Sequence, residues 1–164
     1  METVQCSTCQ KAKAPLVWGV CSGTLCKNCA QFLDEDAFSF LAKVPPEVSH
    51  TTYCQTCYDT HVVPQLVSYN SMMDQAREIL IYYKDEGKDT RMYSRIEDKL
   101  VVLNCADRKE AILRLAFMAV QGGFNAVIDI DVYSKKIRTG AYQTLQWQAT
   151  GIPTQITAPR MWRR

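Results

Sequence analysis

The chain has 164 residues, of which 47% are hydrophobic and 22% are charged, with eight cysteines and a formal net charge of +2. This length accommodates one ordinary domain or two small ones. The chain contains no run of 18 apolar residues, and its first six residues resemble neither a signal peptide nor a transit peptide. We therefore expect a cytosolic protein, in which clustered cysteines indicate metal ligands. A disulfide framework is the alternative.

Seven of the eight cysteines lie in the first 57 residues. Six of them form three CxxC pairs, and a single cysteine precedes the second pair by five positions. The pairs are Cys6/Cys9, Cys26/Cys29 and Cys54/Cys57, and the single residue is Cys21. Two thiolates separated by two residues can bind one tetrahedral Zn²⁺ from a tight turn, and repeated pairs are the usual signature of structural zinc. The sequence therefore predicts a zinc-binding domain over residues 1–64.

In a cross-braced finger, alternate ligand pairs share a metal ion, so two zinc ions are expected. The first site would use four thiolates, from Cys6, Cys9, Cys26 and Cys29. The second site would use three thiolates, from Cys21, Cys54 and Cys57, together with one more ligand. We predict His61 for that position, because it would lie one helical turn after Cys57. His50 lies in a predicted strand, about 13 Å before Cys54. The alternative is one occupied site and a vestigial second site.

The run Cys21-Ser-Gly-Thr-Leu-Cys26-Lys-Asn-Cys29 and the later Tyr53-Cys54-Gln-Thr-Cys57-Tyr58 resemble the second half of a FYVE-type finger. The resemblance covers residues 6 to about 61 and implies a cross-braced treble-clef fold and a role in endosomal trafficking. The family's third cysteine falls at Trp18, which cannot bind zinc. The segment Pro15–Cys21, where the family has its basic lipid-binding motif, has no basic residue. The phosphoinositide-binding chemistry of the family is therefore not carried over.

The second half of the chain has the pattern of a small α+β domain. Residues 65–97 form a connector, with a helix predicted over 72–78 and a strand from Ile79 to Tyr83. A strand then ends at Cys105, and a buried helix follows a capping box and stops at a glycine pair. Two alternating strands complete the pattern, over 124–133 and 141–150. We predict a β-α-β-β antiparallel-sheet domain over residues 98–157 and a basic tail over 158–164.

The segment Gly122-Gly-Phe-Asn-Ala-Val-Ile-Asp-Ile-Asp131, with Gly140-Ala-Tyr-Gln-Thr and Gly151-Ile-Pro, resembles the YbjQ-like family. That resemblance implies dodecin-like β-α-β-β units that assemble into rings. One helix over three strands also buries little surface for its size, so we expect a homo-oligomer or a subunit of a larger assembly. The second sheet face, predicted to carry Val127, Tyr133 and Tyr142, would form the contact. The alternative is that residues 65–97 cover this face.

Two features of the second half invite a test for catalysis. Asp129 and Asp131 are predicted on one strand face about 7 Å apart, which suits paired acid and base carboxylates. Their expected role is nevertheless that of solvent-facing or interface residues. Cys105 ends an apolar strand, a position typical of a buried structural thiol. The common hydrolase, phosphate-binding and zinc-protease motifs do not occur, and we expect no enzymatic activity.

The charge is divided unevenly between the two halves. Residues 1–64 carry four lysines against six acidic groups, and residues 65–164 carry fifteen basic against eleven acidic groups. Each Zn(Cys)₄ centre adds about −2 to the finger, which argues against nucleic acid as a partner and limits membrane contact to peripheral contact. We expect a zinc-finger adaptor or scaffold for protein–protein interaction, with the endosomal surface as an extension. The alternatives are a phosphoinositide-binding module and a ubiquitin-pathway accessory component.

Overall fold

The computed structural model describes residues 4–17 and 19–157. The chain is of mixed α+β structure and divides into two compact units between Ser71 and Met72. This division lies inside the connector that the sequence predicts over residues 65–97. The predicted basic tail, residues 158–164, and Trp18 lie outside the described residues. None of the helices in the described ranges combines the length and the apolar character that crossing a membrane requires.

Short strands and turns make up most of the N-terminal unit. Strand β1 (Leu16–Val17) pairs antiparallel with β2 (Thr24–Leu25), and β3 (Gln31–Phe32) pairs antiparallel with β4 (Thr52–Tyr53). A 3₁₀ turn spans Pro46–Val48. Strands of two residues bury little surface, and five cysteines supply much of the unit's small hydrophobic cluster. The cluster comprises Cys6, Ala14, Leu25, Ala30 and Cys54, with Leu16, Cys26, Cys29 and Cys57 packed against it.

The helix that the sequence predicts over residues 72–78 is the end of a longer helical segment, which begins at Gln55. Helix α1 (Gln55–Cys57) continues through a π-helical turn (Tyr58–Val62) into α2 (Val63–Glu78). Pro64 explains the wide turn, because proline lacks an N–H group and its ring clashes with the carbonyl group four residues earlier. The first half of α2 packs on the N-terminal unit. The rings of Tyr69 and Phe38 meet edge to face at 5.4 Å, and the Phe40 N–H donates to Tyr69 Oη at 3.3 Å.

The C-terminal unit contains a four-stranded sheet with the order β5-β7-β8-β6. Its elements in chain order are β5 (Leu80–Tyr83), β6 (Leu100–Cys105), α3 (Arg108–Gln121), β7 (Ala126–Thr139) and β8 (Tyr142–Thr154). The antiparallel hairpin β7–β8 and the antiparallel pair β6–β8 follow the prediction. The sheet is nevertheless mixed, because β5 pairs parallel with β7. Strand β5 belongs to the predicted connector, residues 65–97, so the prediction of an antiparallel β-α-β-β arrangement over residues 98–157 did not include this parallel edge.

Helix α3 packs on one face of the sheet and forms the main core of the C-terminal unit. The buried residues of this core are Val102, Cys105, Ala111, Leu115, Ala119, Val127, Ile130 and Ala149. The helix begins as the sequence predicts: Asp107 caps it by accepting a hydrogen bond from the Glu110 N–H at 2.8 Å, and it ends at Gly122. Gly151 permits the close approach of helix and sheet. A methyl group there would lie 2.6 Å from Val127 and 3.0 Å from Leu115.

A β-bulge interrupts the alternating pattern of β7. The register shifts between Ile128 and Asp131, and Asp129 adopts a left-handed backbone conformation with φ of 54°. The extra residue places Val127 and Ile130 on the same, helix-covered face. The expectation that Val127 lies on the second sheet face with Tyr133 was therefore wrong, because period-two alternation holds only where no bulge intervenes.

Candidate metal centres

Two tight turns of the N-terminal unit bring together the cysteines of the first two CxxC pairs, Cys6, Cys9, Cys26 and Cys29. After Cys6, the chain turns back so that the Gln10 N–H donates to Cys6 O at 2.8 Å. After Cys26, the Cys29 N–H donates to Cys26 O at 3.1 Å. The Ser7 N–H group joins the two turns by donating to Thr24 O at 2.9 Å. Each of the two CxxC segments therefore forms a knuckle, and each knuckle contributes two sulfur atoms to the same site.

The first centre has the dimensions of a tetrahedral thiolate site. The sulfur atoms of Cys6, Cys9, Cys26 and Cys29 all lie within 4.8 Å of one another, and Cys9 Sγ and Cys26 Sγ are 3.7 Å apart. A Zn–S bond of about 2.3 Å in a tetrahedron requires sulfur atoms about 3.8 Å apart. The four residues that the sequence assigns to the first site are thus together, in an arrangement that fits a closed four-thiolate centre.

The second centre brings together three cysteines from two segments, Cys21 from one and the pair Cys54 and Cys57 from the other. The sulfur atoms of Cys21, Cys54 and Cys57 lie within 4.8 Å of one another, with Cys21 Sγ 3.8 Å from Cys54 Sγ and 2.9 Å from Cys57 Sγ. Cys54 is the N-cap of α1, and its sulfur accepts a hydrogen bond from the Cys57 N–H at 3.3 Å. The cross-braced alternation of ligands therefore holds for these seven cysteines.

Neither histidine joins the second group. His61 lies in the π-helical turn, and His50 packs against Gly19 and Tyr53. Neither ring has a nitrogen within 4.8 Å of all three sulfur atoms. The prediction of His61 assumed a regular α-helix after Cys57. The Val63 N–H instead donates to Tyr58 O, five residues back, which rotates His61 from the expected position. The structure thus brings together seven of the eight predicted ligands.

Close packing of the thiols separates their acidities. Hydrogen bonding from the backbone at Cys26 and Cys9 lowers the pKa of Cys6 to about 6, whereas sharing of its proton with Cys26 and Cys9 raises the pKa of Cys29 to about 12. In the second centre, hydrogen bonding to Cys21, burial and Cys54 raise the pKa of Cys57 to about 12. The last thiol of each group, Cys29 or Cys57, therefore resists ionisation because of the sulfur atoms around it. A bound dication would offset the repulsion between neighbouring thiolates and displace the remaining protons.

The two aspartates predicted as a carboxylate pair have separate partners. Asp129 forms an ion pair with Arg95 at 2.7 Å, and Asp131 forms one with Lys84 at 3.6 Å. The register shift at Asp129 breaks the regular two-residue spacing on which the prediction of a carboxylate pair depended. Asp131 and Lys84 also line a polar cavity of about 590 Å³, where the guanidinium group of Arg108 lies 5.3 Å from the ring centre of Tyr83. Among the described residues that line this cavity, Tyr83 provides a hydroxyl group, and there is no cysteine, serine, threonine or histidine.

Cys105 is a buried thiol, as its position at the end of an apolar strand predicts. Its exposed fraction is 1%, and it packs in the core beneath α3. Burial raises its pKa, which disfavours the reactive thiolate form. Sequence reasoning did not identify Arg95 as the partner of Asp129. No local pattern signals a contact between residues 34 positions apart.

The chain matches no protein-family model, and no curated protein or solved structure is significantly similar to it. The FYVE-like and YbjQ-like assignments therefore remain resemblances of sequence. What the structure itself defines is an α+β chain with two cysteine groups that are able to hold metal ions.

Proposed function

We propose that the protein is a zinc-stabilised adaptor or scaffold that acts through protein–protein contacts and assembles through its C-terminal unit. The geometry of the first cysteine group supports zinc as the resident ion. Three further thiolates form a second, incomplete group. Because cysteines provide much of the hydrophobic cluster in the N-terminal unit, the metal ions would hold this unit together.

The observation that carries the assembly proposal is uncovered apolar surface on the sheet. Val101 and Leu103 on β6 flank the buried Val102 and so point away from α3, with exposed fractions of 49% and 53%. Tyr133 on β7 lies on the same side of the sheet, because Val132 packs toward α3. Strand β6 is also at the sheet edge, with one side unpaired among the described strands. Such a surface favours contact with another chain.

The end of the β7–β8 hairpin supports the same proposal. Beyond Ile130 on β7 and Trp147 on β8, the described strands provide no third partner, so residues 133–146 form a two-stranded hairpin arm. Two strands alone are only marginally stable in water. Tyr142 and Leu145 on the arm are exposed. A neighbouring chain that pairs with the arm would bury these side chains and add a third strand.

The charge of the hairpin arm indicates the chemistry of its partner. The arm, residues 133–146, contains three basic side chains, Lys135, Lys136 and Arg138, and no acidic one. None of these cations forms an ion pair within the described part of the chain. Symmetric pairing of two arms would bring like charges together, so we propose an acidic protein surface as the contact. The N-terminal unit of a second copy has the required net negative charge.

The segment after β5 covers only part of the sheet face opposite α3. Thr90 is fully buried, and Arg95 reaches Asp129 beside the buried Ile128. These contacts cover the β7 side of the face. The alternative prediction, that residues 65–97 cover this face within one chain, would require the β6 side to be covered as well. Val101 and Leu103 remain exposed on the β6 side. The proposed contact therefore centres on β6 and the hairpin arm.

Oligomeric state tests this proposal. Native mass spectrometry and light scattering should give a multimer for the metal-loaded chain, and the double substitution Val101→Lys with Leu103→Lys should shift it to the monomer. The matched control replaces Val17 and Val67, which are 72% and 65% exposed in the N-terminal unit, with lysine. The control should keep the multimer. A wild-type monomer that captures no acidic partner through the arm would refute the proposal.

A further inference from the structure

We infer that Cys21, Cys54 and Cys57 form an open metal centre that takes its fourth ligand from outside the chain. In the free protein the fourth ligand would be water, and a thiolate would replace it in the bound state. The thiolate comes either from a small thiol or from a cysteine of another chain. The inference concerns the N-terminal unit alone and does not depend on the proposed assembly through the C-terminal unit.

The ligand count separates the two centres. Four sulfur atoms lie within 4.8 Å of one another in the first group, and three do so in the second. Among the described residues, no histidine nitrogen, carboxylate oxygen or further sulfur joins the second group. A structural zinc site is closed by four protein ligands, whereas three protein ligands leave one position for an exchangeable donor. The second group therefore departs from the two closed sites that the FYVE-like pattern implies.

Packing keeps His50 out of the open position. The imidazole ring lies against the backbone of Gly19, so that any side chain at residue 19 would collide with it. On its other side the ring meets Tyr53, with 6.2 Å between the ring centres. The backbone of His50 is also fixed, because its N–H donates to Tyr53 Oη at 3.0 Å. His50 is therefore held as a packing residue between two segments of the N-terminal unit.

The backbone keeps His61 out of the same position. A regular α-helix would place residue i+4 on the same face as Cys57. The π-helical turn over Tyr58–Val62 changes that angular relationship, and Pro64 prevents the turn from closing into an α-helix. Restoring His61 to the centre would require this helical segment to be rewound.

The open position is accessible from solvent. Cys21 is exposed and Cys57 is half-buried, whereas Cys54 is buried. A donor that approaches the metal ion beside Cys21 therefore does not have to enter the core. Thiolate is the favoured class of donor, because three sulfur ligands already make the site soft. With zinc held by the three cysteines, exchange would replace a Zn–O bond to water with a Zn–S bond, and the proton of the incoming thiol would pass to solvent. No oxidation state changes.

Cadmium-113 NMR of the full chain loaded with ¹¹³Cd²⁺ tests this inference, because the chemical shift reports how many sulfur atoms bind each ion. We expect two resonances, one typical of four sulfur ligands and one of three. Cys21→Ser should remove or move only the second resonance, which assigns it. His50→Ala and His61→Ala should leave both resonances in place. A second resonance that moves in either histidine variant would overturn the inference.

Titration with thiols tests the exchangeable position directly. The probes are 2-mercaptoethanol and a short unstructured peptide with one cysteine, and the matched control is the same peptide with serine. At least one of the two thiol probes should move the second resonance toward the four-sulfur position, and neither probe should affect the first resonance. A response to only one probe identifies the source of the thiolate. The inference fails if neither probe has an effect, or if the chain binds one metal ion only.

Discussion

Arg95 holds Asp129 through two hydrogen bonds, from Nε to Oδ2 at 2.7 Å and from Nη2 to Oδ1 at 3.1 Å. The same guanidinium group donates to Thr90 O and to Thr90 Oγ1. One side chain thus joins the loop after β5 to the bulge of β7. The two partners are partly shielded, with side-chain exposures of 35% and 23%.

We predict that Arg95→Ala lowers the free energy of unfolding of the C-terminal unit by about 1–2 kcal/mol, after allowance for solvent screening. The substitution leaves the Asp129 carboxylate and the buried Thr90 without their donors. The control is Arg77→Ala, which removes an ion pair to Asp74 that is exposed on both sides. This change should cost less than about 0.5 kcal/mol. Urea unfolding monitors both variants, and equal effects would contradict the prediction.

The bulge at Asp129 shows where reasoning from the sequence stops. The residues around it alternate well enough to predict a strand, and the strand is present. A one-residue insertion nevertheless leaves no local mark, because it depends on pairing with β8 and on the contact with Arg95. The parallel pairing of β5 is likewise set by distant residues. The capping box at Asp107 and the stop at Gly122 were predictable because they are local.

Replacement of Gly151 by alanine should destabilise the contact between α3 and the sheet. The added methyl group would lie 2.6 Å from Val127 Cγ1 and 3.0 Å from Leu115 Cδ2, both in the core. Overpacking of this kind costs about 1–3 kcal/mol. Gly87→Ala is the control, since its nearest contact would be Lys84 O at 3.4 Å. Thermal unfolding should show a lower Tm for Gly151→Ala and little change for the control. An unchanged Tm in both variants would show that the core rearranges to accommodate the added methyl group at residue 151.

Chelation of the bound metal should unfold the N-terminal unit and leave the C-terminal unit folded. The first unit depends on a cluster that includes five cysteines, whereas the second has a core of packed side chains beneath α3. Hydrogen exchange after treatment with EDTA should show loss of protection at β1 to β4 and retained protection at β6 to β8. A protein with all seven ligand cysteines replaced by serine should behave the same way with or without EDTA. Retained protection at β1 to β4 in the metal-free chain would contradict this dependence.

Metal affinity should fall as the pH falls. The metal-bound state carries fewer protons than the metal-free state, because thiolates bind the ion, so added protons favour release. The pKa of Cys6 is lowered to about 6 and that of Cys29 is raised to about 12, so protons must leave the first centre across the whole neutral range. Calorimetric titration with Zn²⁺ in buffers of different ionisation enthalpy measures this proton release. Affinity that is independent of pH between 5 and 8 would be inconsistent with thiolate ligation.

Spacing alone predicted the grouping of the seven cysteines, because each CxxC pair forms its own local turn and the cross-brace follows from their order. The eighth ligand was a different kind of inference. His61 was placed by assuming ideal helix geometry after Cys57, and a proline seven residues beyond that cysteine altered the helix. The effect of Pro64 on the preceding turn is visible in the sequence, and it is the signal that would have corrected the prediction.

Glu110 should make the stability of the C-terminal unit dependent on pH. Its carboxylate accepts hydrogen bonds from the Ala106 N–H and from Arg114 Nε, both at 2.8 Å, and the bond from Ala106 is the main cause of its lowered pKa. A group with a depressed pKa in the folded state stabilises the fold above its ordinary value, about 4.3, and loses this contribution as the pH falls through the lowered value.

Glu110→Gln is therefore expected to cost about 1 kcal/mol at pH 7, because a neutral amide accepts these hydrogen bonds less strongly. The difference from the wild type should shrink as the pH is lowered below about 4, where protonation of the wild-type carboxyl begins to remove the same interaction. The control is Glu97→Gln, a substitution at an exposed loop position. Urea unfolding at pH 7 and at successively lower pH gives both differences. A constant difference across this range would mean that Glu110 acts through packing rather than through its charge.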